Sequence, residues 1–253
     1  MLFRIRTLLI AITLLCGALT TLAQKPFRVL ALYSKSVEAD HVQFAEQAIR
    51  FYAAAAAGNG YEFVASERWD DLNAATLARY QIVLWLNDSP HTDEQRKAFE
   101  TYMSHGGAWI GFHAAGYNDN STHWPWFVDF LGGAVFYSNS WPPLPAKLRV
   151  DDPAHPLTRG LGATISSPAN EWYIWAPDPR LNPRVRVLLT LDPSNYPIGL
   201  KDVLGGGDLP VVWTNTAYRM VYMNMGHGDK IFDDPQQNKL FLATLLWLGS
   251  NKK

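Results

Sequence analysis

In the first half of the chain, short apolar blocks alternate with longer stretches of helical spacing. Phe27 to Tyr33, Tyr61 to Ala65, Gln81 to Leu86 and Ala108 to Phe112 are too short for buried helices, are rich in β-formers, and end in polar or small residues. These runs predict four strands. Between them, Glu38 to Ala57 reads as a helix closed by Gly58-Asn59-Gly60, and Leu72 to Tyr80 as a short helix. Thr92 is an N-cap with an acid and a Gln in the turn after it, so a helix starts there, runs to Ser104 and stops at Gly106-Gly107. Strands alternating with helices predict a parallel, doubly wound sheet. Ligands of such sheets bind beyond the carboxyl ends of the strands. That edge receives Ser34-Lys35-Ser36, Asn87-Asp88-Ser89, and His113 with the loop that follows it.

The second half is less regular. A loop rich in Trp and Pro, Ser138 to Pro145, precedes a strand at Ala146 to Val150, and Asp152-Pro153-Ala154-His155-Pro156 reads as a turn. Further strands are expected at Val185 to Leu191, Pro210 to Thr214 and Met220 to Met225, and Asp234-Pro235 caps a closing amphipathic helix that runs through Leu248. Gly205-Gly206-Gly207 reads as a flexible connection, because no Lys-Ser/Thr pair follows it to make a phosphate loop.

Arg4 and Arg6, the apolar run after them and Thr21-Leu22-Ala23 have the layout of a secretory signal peptide, residues 1–23. A membrane-spanning helix fits less well, since Thr and Gly interrupt the run before it reaches the ~20 residues a span needs. Residues 24–253 are then one α/β domain, periplasmic or secreted. Cys16 is the only cysteine and lies in the expected leader, which excludes cysteine-nucleophile and disulfide chemistry in the mature chain. The net charge of −1, with both signs scattered along the chain, gives no electrostatic footprint for nucleic acid. Ten Trp and eleven Tyr, several in expected loops, supply either a large core or ring faces for stacking on sugars.

Two strands end in a histidine flanked by small residues, at Phe112-His113-Ala114 and Gly226-His227-Gly228. Small neighbours let a ligand or another backbone approach the imidazole closely. If the two strands are parallel members of one sheet, both imidazoles emerge on the same edge. Glu171, between Asn170 and Trp172-Tyr173, is the carboxylate candidate. Two histidines and a carboxylate suit either acid/base work on a sugar or a divalent metal such as zinc or manganese. The spacing alone leaves both open. Asp88, Tyr117, Trp124, Trp141, Trp172 and Tyr173 are candidates for contacting a substrate, and His123 for facing the same edge. His41 reads as a solvated or partly packed side chain of the first helix, and His155 as a turn-fixing group.

Taken together, Gly106-Gly107-Ala108-Trp109-Ile110-Gly111-Phe112-His113, Trp126 to Gly133, His155 to Leu161, Asn170-Glu171-Trp172-Tyr173, Pro210 to Trp213 and Val221 to His227 resemble the trehalose-utilisation, ThuA-like family of the class I glutamine amidotransferase-like superfamily. The resemblance spans essentially the whole expected mature chain. It implies a flavodoxin-like three-layer α/β/α sandwich with a mostly parallel sheet. It also implies that His113 stands where amidotransferases carry a catalytic cysteine, so glutaminase chemistry does not carry over while the pocket does, with Glu171 and His227 beside it. The chain departs from many relatives in having Asn170 before Glu171 in place of Asp, and Ala114-Ala115-Gly116-Tyr117 without a second histidine. Three donors remain, one short of a four-ligand metal site. The expected function is a role in using a trehalose-type disaccharide, bound or acted on at His113, Glu171 and His227. The alternatives are a non-catalytic sugar binder and a protein-interaction module built on the Trp141 to Pro145 loop. A homo-oligomer is left open.

Overall fold

A computed structural model describes residues 26–119, 121–195 and 208–250. The expected leader 1–23 and the triple glycine 205–207 lie outside the described residues. In chain order the elements are β1 (Phe27–Leu32), α1 (Ala39–Ala56), β2 (Tyr61–Ser66), α2 (Ala74–Leu77), β3 (Ile82–Trp85), α3 (Asp93–Ser104), β4 (Ala108–Phe112), α4 (Pro125–Phe130), β5 (Phe136–Asn139), β6 (Leu144–Val150), β7 (Thr164–Asn170), β8 (Tyr173–Trp175), β9 (Val185–Leu191), β10 (Pro210–Asn215), β11 (Arg219–Met223) and α5 (Pro235–Ser250).

A nine-stranded sheet in the order β2-β1-β3-β4-β11-β10-β9-β6-β7 forms the middle layer, and β5 pairs with β8 in a small second sheet. The strands from β2 to β11 pair in parallel, and those from β11 to β7 antiparallel. Alternate residues of the parallel strands enter two separate cores. Val29, Ile82, Ile110 and Val221 face Phe44, Tyr52, Phe241 and Leu245 of α1 and α5. Leu30, Val83, Trp109 and Met220 face Leu77, Phe99 and Phe130 of α2, α3 and α4. Burial on both faces is why these strands read as unbroken apolar runs rather than alternating ones. The three-layer α/β/α arrangement is that of a flavodoxin-like domain.

The predicted cap of α3 is a complete capping box, with the Thr92 side chain accepting from the Gln95 N–H and the Gln95 side chain returning to the cap backbone. Gly106 then turns the chain at φ +85°. The expected helix over Leu72 to Tyr80 shortens to α2, capped by Asn73, after a helical turn at Trp69–Asp71. Four elements escape the hydrophobic pattern, α4, β5, β7 and β8, and two of them show why. One is β7, polar and containing Pro168, which the sheet tolerates because β7 is its edge strand. The other is β5, which takes residues from the start of the expected Trp-Pro loop and pairs outside the main sheet.

Candidate functional site

β4 and β11 are adjacent and parallel, with Phe112 opposite Met223, so the residues that follow each strand leave the sheet side by side. His113 sits at φ +43°, the left-handed region that a side chain rarely adopts, and opens a helical turn over His113–Gly116. This is the geometry of a strand-to-helix elbow. Three neighbours hold it. The Tyr222 hydroxyl donates to the His113 carbonyl at 3.0 Å, and His113 Nδ1 lies 2.9 Å from the Asn224 carbonyl. The third is Gly226, where an added Cβ would run into the His113 Cβ, so glycine is required by close approach rather than by its own backbone angle.

Asn170, fully buried at the end of β7, organises the far side. Its amide nitrogen donates to the Glu171 carbonyl (2.8 Å) and the Asn224 carbonyl (3.0 Å), and its oxygen accepts from the N–H groups of Gly226 (3.0 Å) and His227 (3.1 Å). One side chain thus ties the Glu171 backbone to the loop that carries His227. Glu171 directs Oε2 at His113 Nε2 across 3.3 Å, while its other oxygen accepts from the Asn139 amide.

The structure adds a residue that sequence reasoning placed elsewhere. His41 is not solvated. It is buried at the first turn of α1, its ring 5.1 Å from the rings of both His113 and His227, which are themselves 5.7 Å apart. The signal was present in the chain: His41, Phe44, Ala45, Ala48 and Tyr52 form one buried stripe at helical spacing. Asn87 fixes the start of this helix by donating to the backbone carbonyls of Ser34 and His41. Burial in this cluster lowers the basicity of two of its imidazoles. Burial, then the neighbouring His113 and His227, bring the His41 pKa down to about 4, and burial with the nearby His227 pushes His113 well below the usual histidine value. At neutral pH His41 and His113 are therefore uncharged. Because the Asn224 carbonyl can only accept, the Nδ1 of His113 carries the hydrogen and Nε2 presents a lone pair.

Carboxylates line the outer side. Glu38, half exposed, places its oxygens 3.8 Å from Nε2 of both His41 and His227, and Asp40 lies 3.7 Å from Nδ1 of His227. The other sequence candidates divide. Tyr173 packs its ring on that of His113 at 4.0 Å, and its neighbour Phe136 carries the exposed Tyr117 ring at 4.7 Å. Trp141 is exposed, two residues beyond Asn139. Asp88 is one strand away, accepting from the Ser34 hydroxyl and pairing with His91 at 2.9 Å. Two tryptophans cannot serve as stacking faces. Trp172 is wholly buried and donates to the Leu144 carbonyl; Trp124 is stacked on Phe127 in the second core, with its N–H on Glu100. His123 is exposed, and His155 fixes its turn by accepting from the Leu157 N–H.

Among the described residues, no helix is long and apolar enough to cross a membrane. The chain is 48% identical to a ThuA-like protein of Bacteroides uniformis of known structure, over 94% of this chain and 97% of that one, with a TM-score of 0.88. A ThuA-like protein of Parabacteroides merdae, 17% identical over 90% and 91% of the two chains, shares the fold at a TM-score of 0.66. A β-galactosidase of Bacillus circulans, 13% identical, contains a similar fold (TM-score 0.53) over 87% of this chain but only 30% of its own. No curated protein matches the chain at a significant level. The family model for ThuA, trehalose utilisation, matches residues 28–248, and with that match and 48% identity to a ThuA-like relative the chain belongs to the ThuA family.

Proposed function

We propose that this ThuA protein binds and acts on a trehalose-type disaccharide or an oxidised derivative of one, after export from the cytoplasm. The observation that carries the reading is the convergence of His41, His113, His227 and Glu171 at the carboxyl edge of the parallel strands, the edge where open α/β sheets place their ligands. The family's association with trehalose utilisation supports the substrate class. An uncharged imidazole nitrogen or the Glu171 carboxylate accepts a proton from a sugar hydroxyl, or from the carbon beside a carbonyl if the sugar is oxidised. Tyr117, packed on Phe136, and Trp141, two residues beyond Asn139, are exposed rings and offer faces for the C–H surface of a pyranose. The absence of cysteine from the mature chain keeps the old elbow from acting as a glutaminase nucleophile.

The test is turnover of trehalose and of its oxidised form by purified protein, with products separated by chromatography. Wild type forms product, and His113→Ala loses at least ~100-fold in rate with an unchanged circular dichroism spectrum. Equal turnover by the two proteins contradicts the assignment. Calorimetric binding of sugar with no product over long incubation selects the non-catalytic binder instead. The exposure of Tyr137 (67%) and Trp141 (45%) favours a second reading, a protein-docking surface around the Trp141 loop. Recovery of a stable complex from envelope extract that Trp141→Ala abolishes, with no sugar binding, would select it.

A further inference from the structure

We infer that His41, His113, His227 and Glu171 bind one first-row divalent cation. The arrangement meets the demands of such a site in four independent ways. The donor atoms are close: those of His41, His113 and Glu171, and separately those of Glu38, His41 and His227, all lie within 4.8 Å of one another, so two triads share His41. The ring spacing fits. An imidazole bound at about 2.0–2.1 Å places its ring centre roughly 3.2 Å from the ion, and three such rings at tetrahedral angles stand about 5.2 Å apart. The observed separations are 5.1, 5.1 and 5.7 Å.

Two of the imidazole donors are also buried and unsatisfied. Nε2 of His41 and of His227 are buried without a hydrogen-bond partner, although the side chains are only 11% and 2% exposed. A buried polar nitrogen left in that state is costly, so its retention on two neighbouring rings asks for a ligand. His113 directs Nε2 at the carboxylate oxygen of Glu171, 3.3 Å away, with its hydrogen committed to Asn224 on the other side of the ring. Two acceptor atoms facing each other are reconciled by a positive charge shared between them. The surroundings match as well. The Nδ1 contact with the Asn224 carbonyl is the outer-shell hydrogen bond that orients a metal-binding imidazole, and Asn139 does the same for Glu171.

Three imidazoles and a carboxylate, without thiolate, select zinc, manganese, iron or a similar ion over calcium or magnesium. His41 from α1 completes the set that the sequence left one donor short. Glu38, exposed at the rim, marks the side from which an oxygen of water or sugar reaches the ion. The inference concerns the same site as the proposed function but needs no sugar; with the four donors on the ion, the rim carboxylate of Glu38 is the group left to take a proton from a sugar hydroxyl.

The test uses tag-free protein stripped with chelator and titrated with zinc chloride or manganese chloride alone, read by elemental analysis after desalting and by thermal unfolding. Wild type retains one equivalent of one of these metals, and its Tm rises by roughly 5–10 °C at metal about 100-fold above Kd. His41→Ala and His227→Gln retain less than about a tenth of an equivalent and lose the rise while keeping wild-type circular dichroism. Should His41→Ala fail to fold, His227→Gln and the milder His41→Gln carry the comparison. Wild type that retains no metal and shows no shift, or variants that retain a full equivalent, overturn the inference. Because no sugar is present, the result stands whether or not a disaccharide proves to be the substrate.

Discussion

His113 holds a left-handed backbone conformation because its surroundings over-determine it, and the residues that do so are testable one at a time. Gly226→Ala places a Cβ against His113, so the elbow must shift or the loop must open. The expected cost is about 1–3 kcal/mol in urea unfolding, the range for overpacking a close contact. A cost below ~0.5 kcal/mol would mean that the approach of the two backbones is not what holds His113. Asn170→Ala removes four hydrogen bonds at once and leaves two backbone N–H groups and two carbonyls short of a buried partner. That variant is expected to lose at least ~2 kcal/mol of stability, with His227 and Glu171 no longer in register. A thermal midpoint within a degree of wild type would contradict this role. The Asn170 amide does what a carboxylate could not, donating to two carbonyls while accepting from two N–H groups.

At the scale of elements, α1 couples the site to the core. Its buried stripe begins with His41 and ends with Tyr52, whose carbonyl accepts from the Tyr61 hydroxyl at 2.6 Å. Burial raises the Tyr61 pKa to about 12 and that of Tyr52 further in the same direction. A phenol whose pKa is raised on folding stabilises the fold fully below the unfolded value near 10, and that stability is lost as pH rises toward 12. Guanidinium unfolding is therefore expected to lose on the order of 1–2 kcal/mol between pH 10 and 12 after allowance for solvent screening, and Tyr61→Phe to flatten that slope. An identical slope in wild type and Tyr61→Phe would refute the assignment. The parallel strands and α3 were legible because both faces of the sheet are buried and the cap at Thr92 is chemically explicit. The strands β5 and β7 were not, because an edge strand and a two-stranded ribbon need no apolar run to exist. His41 went unread for a different reason: a histidine on an apolar stripe follows the helix period as well as any hydrophobe, and only the tertiary fold reveals that its end of the stripe meets two other imidazoles.

At the scale of the molecule, the sequence placed His113 and His227 at one sheet edge because their strands share a pattern, and Glu171 beside them through the family resemblance. It could not tell which aromatic residues are exposed. Trp124 and Trp172 are core, and Trp141 and Tyr117 are surface, a division set by packing between layers rather than by residue type. The proposed export is checked by the intact mass of protein from a periplasmic fraction, expected to begin near Gln24; a chain retained in the cytoplasm with residues 1–23 attached would contradict it. The central claim is that the cluster of His41, His113, His227 and Glu171 is where the molecule works. Its most direct test is calorimetric titration of trehalose and its oxidised form into wild type, His41→Ala and His113→Ala of matched circular dichroism. The account predicts binding to wild type that both variants weaken by at least ~10-fold; equal affinity in all three proteins would place the working site elsewhere.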